Sequence, residues 1–313
     1  MSMPALGRRP QNRSMTITED DPGQLNVHAR WRMAVAERAA RAYAQNDRLA
    51  VCAVAGSVGS GLADRFSDLE LDCYWHEPPG DRDRRGPIEL LDGKLEAFWE
   101  YDAGDEEWSE DYALGNLPVT VSNFVVGTAE RFLDAVVLQA DTDPVKHMRL
   151  AAIQRSRPLV GAGLLDGWRA RADRYPDALV TAMVEQSLAA DALPGWSARE
   201  ALASRGDEIA LHALLVSVQR AVLGAVLALN RVYQPHRLVK WQRQLIGELA
   251  VQPGQLADRL HRLGSVTSAA QSLLEAETLL AETADLAQAR AHVRLDAFRE
   301  VLAQSRPALD PPL

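Results

Sequence analysis

The stretch VAGSVGSGLADRFSDLELDCYW, residues 54–75, sets the reading of the whole chain. Its first half is a run of small residues, and its end alternates acidic with apolar ones. In a strand, side chains two apart share a face. Asp68, Glu70, Asp72 and Tyr74 therefore point one way, and Leu69, Leu71, Cys73 and Trp75 the other. The second set makes a core face. The first sets three carboxylates in a row, which repel one another unless a cation or a basic group sits among them. Alone, that row fits an edge strand with a wet acidic face. The preceding GSVGSG shifts the balance, because a turn of small residues leaves backbone N–H groups able to face a phosphate. A phosphate cradle a few residues ahead of paired carboxylates is what phosphoryl or nucleotidyl transfer requires. Two carboxylates hold Mg2+, and phosphate oxygens complete its shell.

Working outward, residues 30–48 are alanine-rich and free of Gly and Pro, which predicts a helix. LAVCAVAGS, residues 49–57, reads as a buried strand running into the turn. EPPGDRDRRGP, residues 77–87, reads as a loop by its Pro, Gly and charge. KLEAFWEY (94–101) and LPVTVSNFVVG (117–127) have strand composition, and DAGDEEWSED (102–111) reads as an exposed acidic link between them. From about Thr128 the strand signals stop. Apolar residues then recur at three and four, predicting helices over 128–139, 145–156, 175–190, 207–233, 237–250 and 272–304. The expectation is an α+β protein: a small mixed-sheet domain over residues 26–140, then an all-helical domain over 141–305. Tails are expected at 1–25 and 306–313.

Composition narrows the function classes. The 313 residues carry a formal charge of −9, which argues against a nucleic-acid binder with a basic surface. No run approaches the roughly 18 apolar residues of a membrane span, so no membrane partner is expected. The first residues lack the apolar core of a secretory signal, and a cytoplasmic location is the expectation. Cys52 and Cys73 sit in apolar runs, as reduced core thiols do.

Gly56-Ser57 followed by Asp68-Leu69-Glu70-Leu71 resembles the signature of the DNA polymerase β-like nucleotidyltransferase superfamily: an apolar strand, Gly-Ser, a spacer, then acid-apolar-acid-apolar. The frame Gly56, Ser57, Gly61, Asp64, Ser67, Asp68, with Glu as the second acid, is similar to the kanamycin-type aminoglycoside nucleotidyltransferases. The resemblance implies that Asp68 and Glu70 hold Mg2+, and that Gly56, Ser57 and Ser67 bind the triphosphate of ATP or another nucleoside triphosphate. It also implies a third carboxylate on a neighbouring strand. Glu96, in Leu95-Glu96-Ala97, is the candidate for metal or base, with Glu100 in reserve. Residues 178–196 are similar to the helix that carries a general-base glutamate in those enzymes, and Glu185 and Asp191 are the acids available. The lysine that follows in those enzymes is missing, since Leu193-Pro194-Gly195 stands before Trp196; Lys240 is the candidate to replace it. The implied reaction moves a nucleoside monophosphate, AMP from ATP, to a hydroxyl of a small molecule such as an aminoglycoside. A homodimer is implied by the same resemblance. The alternatives are a catalytically degenerate nucleotide-binding partner and a protein-AMPylating enzyme.

Overall fold

In the computed structural model, which describes residues 25–236, 240–265 and 268–309, the chain enters its first helix through a side-chain cap. The Asn26 side-chain oxygen accepts from the Ala29 N–H at 2.9 Å and starts α1 (Val27–Tyr43). Then come β1 (Leu49–Val54), the one-turn α2 (Gly56–Gly59), β2 (Leu69–Trp75), α3 (Asp81–Leu90), β3 (Lys94–Asp102), β4 (Glu107–Leu114) and β5 (Leu117–Val125). The helices α4 (Val126–Gln139) and α5 (Pro144–Arg155) lead into β6 (Arg157–Val160). The remainder is helical: α6 (Ala162–Ala172), α7 (Asp177–Ser187), α8 (Arg199–Arg205), α9 (Glu208–Leu229), α10 (Gln242–Gly247), α11 (Leu256–Ser265), α12 (Ala269–Ala291) and α13 (Asp296–Ala303). Of the expected tails, residues 1–24 and 310–313 lie outside the described residues, as do residues 237–239 of the helix expected over 237–250.

The six strands form one mixed sheet in the order β3–β4–β5–β2–β1–β6. Only β2 and β5 run parallel, because α3 and the β3–β4 hairpin supply the crossover a parallel pair needs. A mixed-sheet unit followed by helices is thus the architecture, as the sequence indicates.

Four segments differ from expectation. Residues 77–87 supply most of α3 rather than a loop; Asp83 accepts from the Gly80 N–H at 2.7 Å, and two acids in its first turn suit a helix start. Residues 102–104 are exposed as expected, but the residues from 107 on are not a link. They enter β4, whose Trp108, Glu110 and Tyr112 share one face, with Glu110 fully buried against the Arg84 guanidinium at 2.8 Å. The strand β6 pairs with β1, so the sheet takes an edge strand from beyond residue 140. The helix expected over 272–304 breaks at His292, whose left-handed φ of 53° separates α12 from α13.

The sheet is buried on both faces at the β1–β2 end. Leu69, Leu71, Cys73 and Trp75 pack with Val119 and Val121 under α1 and α3. Cys52 and Cys73, buried free thiols, face each other across β1 and β2 there. On the opposite face, Val51, Ala53, Tyr74 and Phe124 join a second core that continues through the helices as far as Phe298. At its centre lies α9, long and apolar enough by length and composition to cross a membrane, and packed here against α7, α8, α11 and α12.

Candidate active site

The turn after β1 is shaped by two glycines. Gly56 has φ +57°, and a Cβ on it would stand 2.2 Å from Glu70 Oε2. A Cβ on Gly59 would stand 2.3 Å from the Val54 carbonyl oxygen. Only glycine lets this backbone lie against both the carboxylate and the strand. The N–H groups of Gly56, Ser57 and Val58 have no acceptor among the described residues, whereas those of Gly59, Ser60, Gly61 and Leu62 bond within the turn. Ser57 donates no side-chain bond there either. Arg157 of β6 holds the turn from outside, its Nε donating to the Gly59 carbonyl at 2.9 Å.

Asp68 is delivered by a braced loop. Asp64 accepts from the Phe66 N–H at 2.8 Å and from the Ser67 hydroxyl at 3.1 Å. The Ser67 Oγ in turn accepts from the Asp64 N–H at 2.9 Å, so Ser67 shapes the loop. Arg32 of α1, buried, donates from Nε to the Ser67 carbonyl at 2.9 Å. Asn26 donates to the Ala63 carbonyl at 2.8 Å. These bonds tie the loop to α1 and set Asp68 immediately ahead of β2.

The three acids of the row have different surroundings. Asp72 is buried and accepts from Arg149 Nη1 at 2.9 Å. Arg149, from α5, also donates to Glu107 of β4 at 3.2 Å and lies 3.5 Å over the Phe124 ring. Burial alone would pull the Arg149 guanidinium down, but Asp72, Tyr74 and Glu107 outweigh it and hold the pKa above the usual value. Asp72 is therefore the structural member. Asp68 and Glu70 carry no hydrogen bond or ion pair on their side chains among the described residues. Burial, then Asp68 and Asp72, push the Glu70 carboxyl up to about 7, while Lys240 and Arg149 pull against them. Lys240, exposed just ahead of α10, thus acts electrostatically on Glu70 although it lies far along the chain.

The other sequence candidates fall elsewhere. Glu96 sits at a bulge of β3, the far edge strand, with β4 and β5 between it and β2. Three strand spacings put it about 14 Å from Glu70 across the sheet, which removes it as a metal ligand or base. Glu100 is on the same edge strand. Glu185 is exposed on α7, and Asp191 is exposed beyond it; neither is among the charges that act most on Glu70. Among the described residues no three His, Cys, Asp or Glu side chains converge as a ready-made metal site.

The residues fit a Mg2+–triphosphate nonetheless. A carboxylate couple with no hydrogen-bond or ion-pair partner among the described residues, one member pushed toward the neutral form, lies by a turn with free backbone N–H groups, and Lys240 acts on it electrostatically. That donor set suits a hard cation with phosphate oxygens completing its shell. Arg149 and Glu107 escape sequence reading: one arginine in a helix carries no signal of what it reaches. The alternation of Trp108, Glu110 and Tyr112 was the available sign of β4.

Comparison with known proteins gives the following. A family model described as a domain of unknown function (DUF4037) matches residues 144–242. No curated protein matches. Among solved structures, the chain is similar to a nucleotidyltransferase-like protein from Exiguobacterium sibiricum 255-15, with 14% sequence identity and a TM-score of 0.38 over 85% of this chain and 78% of that one.

Proposed function

We propose that the chain is a Mg2+-dependent nucleotidyltransferase that moves AMP from ATP to a hydroxyl of a small molecule. The observation that carries this reading is the unpaired Asp68–Glu70 couple set against the glycine turn, with Asp72 withdrawn into its own ion pair. Asp68 and Glu70 would hold the metal, which supplies charge neutralisation at the transferring phosphorus. The Gly56, Ser57 and Val58 N–H groups would receive phosphate oxygens. Lys240 would add a positive charge on the same side, supplying what Leu193-Pro194-Gly195 does not. Arg149 neutralises Asp72 so that the row's net charge rests on the two members facing the turn. A non-catalytic nucleotide-binding role is the weaker reading, since it gives no reason to keep two neighbouring carboxylates without a bonded partner.

The test is incubation with α-labelled ATP and Mg2+ against a panel of hydroxyl-bearing antibiotics and metabolites, with pyrophosphate measured in parallel. Stoichiometric pyrophosphate release with label on a small molecule supports the reading. Label on protein would turn it to AMPylation, and ATP binding without pyrophosphate release would sink it.

A further inference from the structure

We infer that Cys52 and Cys73 are an oxidation site: a hydroperoxide closes them to a disulfide when α1 lifts from the sheet, and the bond rings the candidate active site. The strand register makes the first argument. Cys52 and Cys73 are direct partners across β1 and β2. One step beyond the Val54–Leu71 pair, the Ala55 N–H donates to the Glu70 carbonyl at 3.0 Å. Hydrogen-bonded and non-hydrogen-bonded pairs alternate along an antiparallel ladder. Ala53–Asp72 therefore goes with Ala55–Glu70, and Cys52–Cys73 is a non-hydrogen-bonded pair. Such pairs bring their Cα atoms to about 4.5 Å with the side chains close. That lies inside the roughly 4.4–6.8 Å that a disulfide spans. These two are the chain's only cysteines, so neither has a rival partner within it.

The second argument is the cover. Both residues are fully buried in the core under α1, which packs across β1 and β2. The buried residues of α1 are five alanines, Arg32 and Tyr43. A methyl group buries little apolar area, so polar ties carry much of the hold. Asn26 donates to the Gly61 and Ala63 carbonyls at 3.2 and 2.8 Å, Arg32 to the Ser67 carbonyl at 2.9 Å, and Tyr43 to Glu110 at 3.2 Å. An element held in this way opens at less than the free energy of global unfolding. Closed, the pair is inert: burial, then the Cys52 side chain, holds the Cys73 thiol above its ordinary range.

Once uncovered, one thiolate attacks the O–O bond of the hydroperoxide and becomes a sulfenic acid, with loss of water or an alcohol. The second thiol attacks that sulfur, the S–S bond forms, the S–O bond breaks, and water leaves. Two electrons pass from the thiols to the peroxide, and a dithiol reductant reverses the step. Residues 53–72, between the cysteines, include the glycine turn, the Asp64–Ser67 loop and all three acids of the row. The disulfide therefore fixes the register that lays Gly56 against Glu70.

The test treats the full chain with hydrogen peroxide, without nucleotide, so the readout stands whether or not nucleotidyl transfer is found. Samples are quenched with iodoacetamide and digested with trypsin. Peptides 49–65 and 66–82 each hold one cysteine. They should be recovered joined, two hydrogens lighter than their sum, and should separate with dithiothreitol. Asn26→Ala, which loosens α1, should speed the joining at least about threefold. Leu279→Ala, which weakens the helical core instead, should leave the rate within about twofold. Recovery of both cysteines as free thiols overturns the inference. So does sulfinic or sulfonic acid in place of the joined pair, or joining only between two copies of the chain. A rate unmoved by Asn26→Ala, or raised as much by Leu279→Ala, overturns the opening of α1. If Asn26→Ala does not fold, Arg32→Lys takes its place, and the joined peptides of the parent still decide the bond.

Discussion

Replacing Glu70 by Gln removes a charge and almost no volume, and its effect on stability can be worked from the site. The folded protein holds the Glu70 carboxyl at about 7, against an ordinary value of 4.5, because burial and then Asp68 and Asp72 disfavour the ion. The folded state thus binds the proton more tightly than the unfolded chain, so stability falls as pH rises from 4.5 to 7. At 1.36 kcal/mol per pH unit the loss amounts to about 3 kcal/mol above pH 7. Glutamine stays neutral and avoids it. Glu70→Gln should therefore melt roughly 5–10 °C above the parent at pH 8 without divalent cation, and close to the parent at pH 4. Adding Mg2+ should raise the melting temperature of the parent and not of the variant, and nucleotidyl transfer should fall by orders of magnitude. Circular-dichroism melts at the two pH values, with and without Mg2+, give the first three quantities. A variant that is less stable than the parent at pH 8 would refute the reasoning, since Glu70 would then have a structural partner.

Asp72→Asn should do the reverse: it leaves Arg149 buried with Glu107 as its only carboxylate, so a denaturant melt should show a loss of about 2–4 kcal/mol. Gly56→Ala drives a methyl into the Glu70 carboxylate at a left-handed φ, and should cost about 1–2 kcal/mol while abolishing the Mg2+ response of the melting temperature. Lys240→Met should raise the ATP concentration needed for half-maximal turnover at least tenfold and leave the melting temperature within a degree or two, because the residue is exposed. Glu96→Gln and Glu185→Gln should retain the parent's turnover in the same labelled-ATP assay, since both stand apart from Glu70.

The part of the site that sequence reveals is the part written in one short segment. The strand period separates Asp68 and Glu70 from Leu69 and Leu71, and the glycines announce a turn that tolerates no side chain. The repulsion argument also raises the right question about Asp72, but its answer is an arginine 77 positions away, and helix pattern says nothing about which sheet row a helix side chain meets. Glu96 illustrates the converse. Acid between apolar neighbours on a strand fits a third ligand, yet strand order is not written in strand composition, and here β3 pairs with β4 at the edge. β4 itself was hidden because charge density reads as solvent exposure. Glu110 inverts that rule, being buried with Arg84, Asn123 and Tyr43 around it. β6 is four residues long, too short for a periodicity to register.

The short return of the chain as β6 changes what can be cut from this protein. A fragment ending near residue 140 would leave β1 with an open edge and Asp72 with no guanidinium; such edges recruit other chains. A fragment beginning at Pro144, where the family match also begins, would carry one strand with no sheet, and an Arg149 and a Lys240 with no acids to face. Each piece lacks what the other supplies. The link between α4 and α5 is thus a place for split-protein complementation rather than for domain dissection: two fragments meeting there would regain the sheet edge, the buried ion pair and the lysine in a single event.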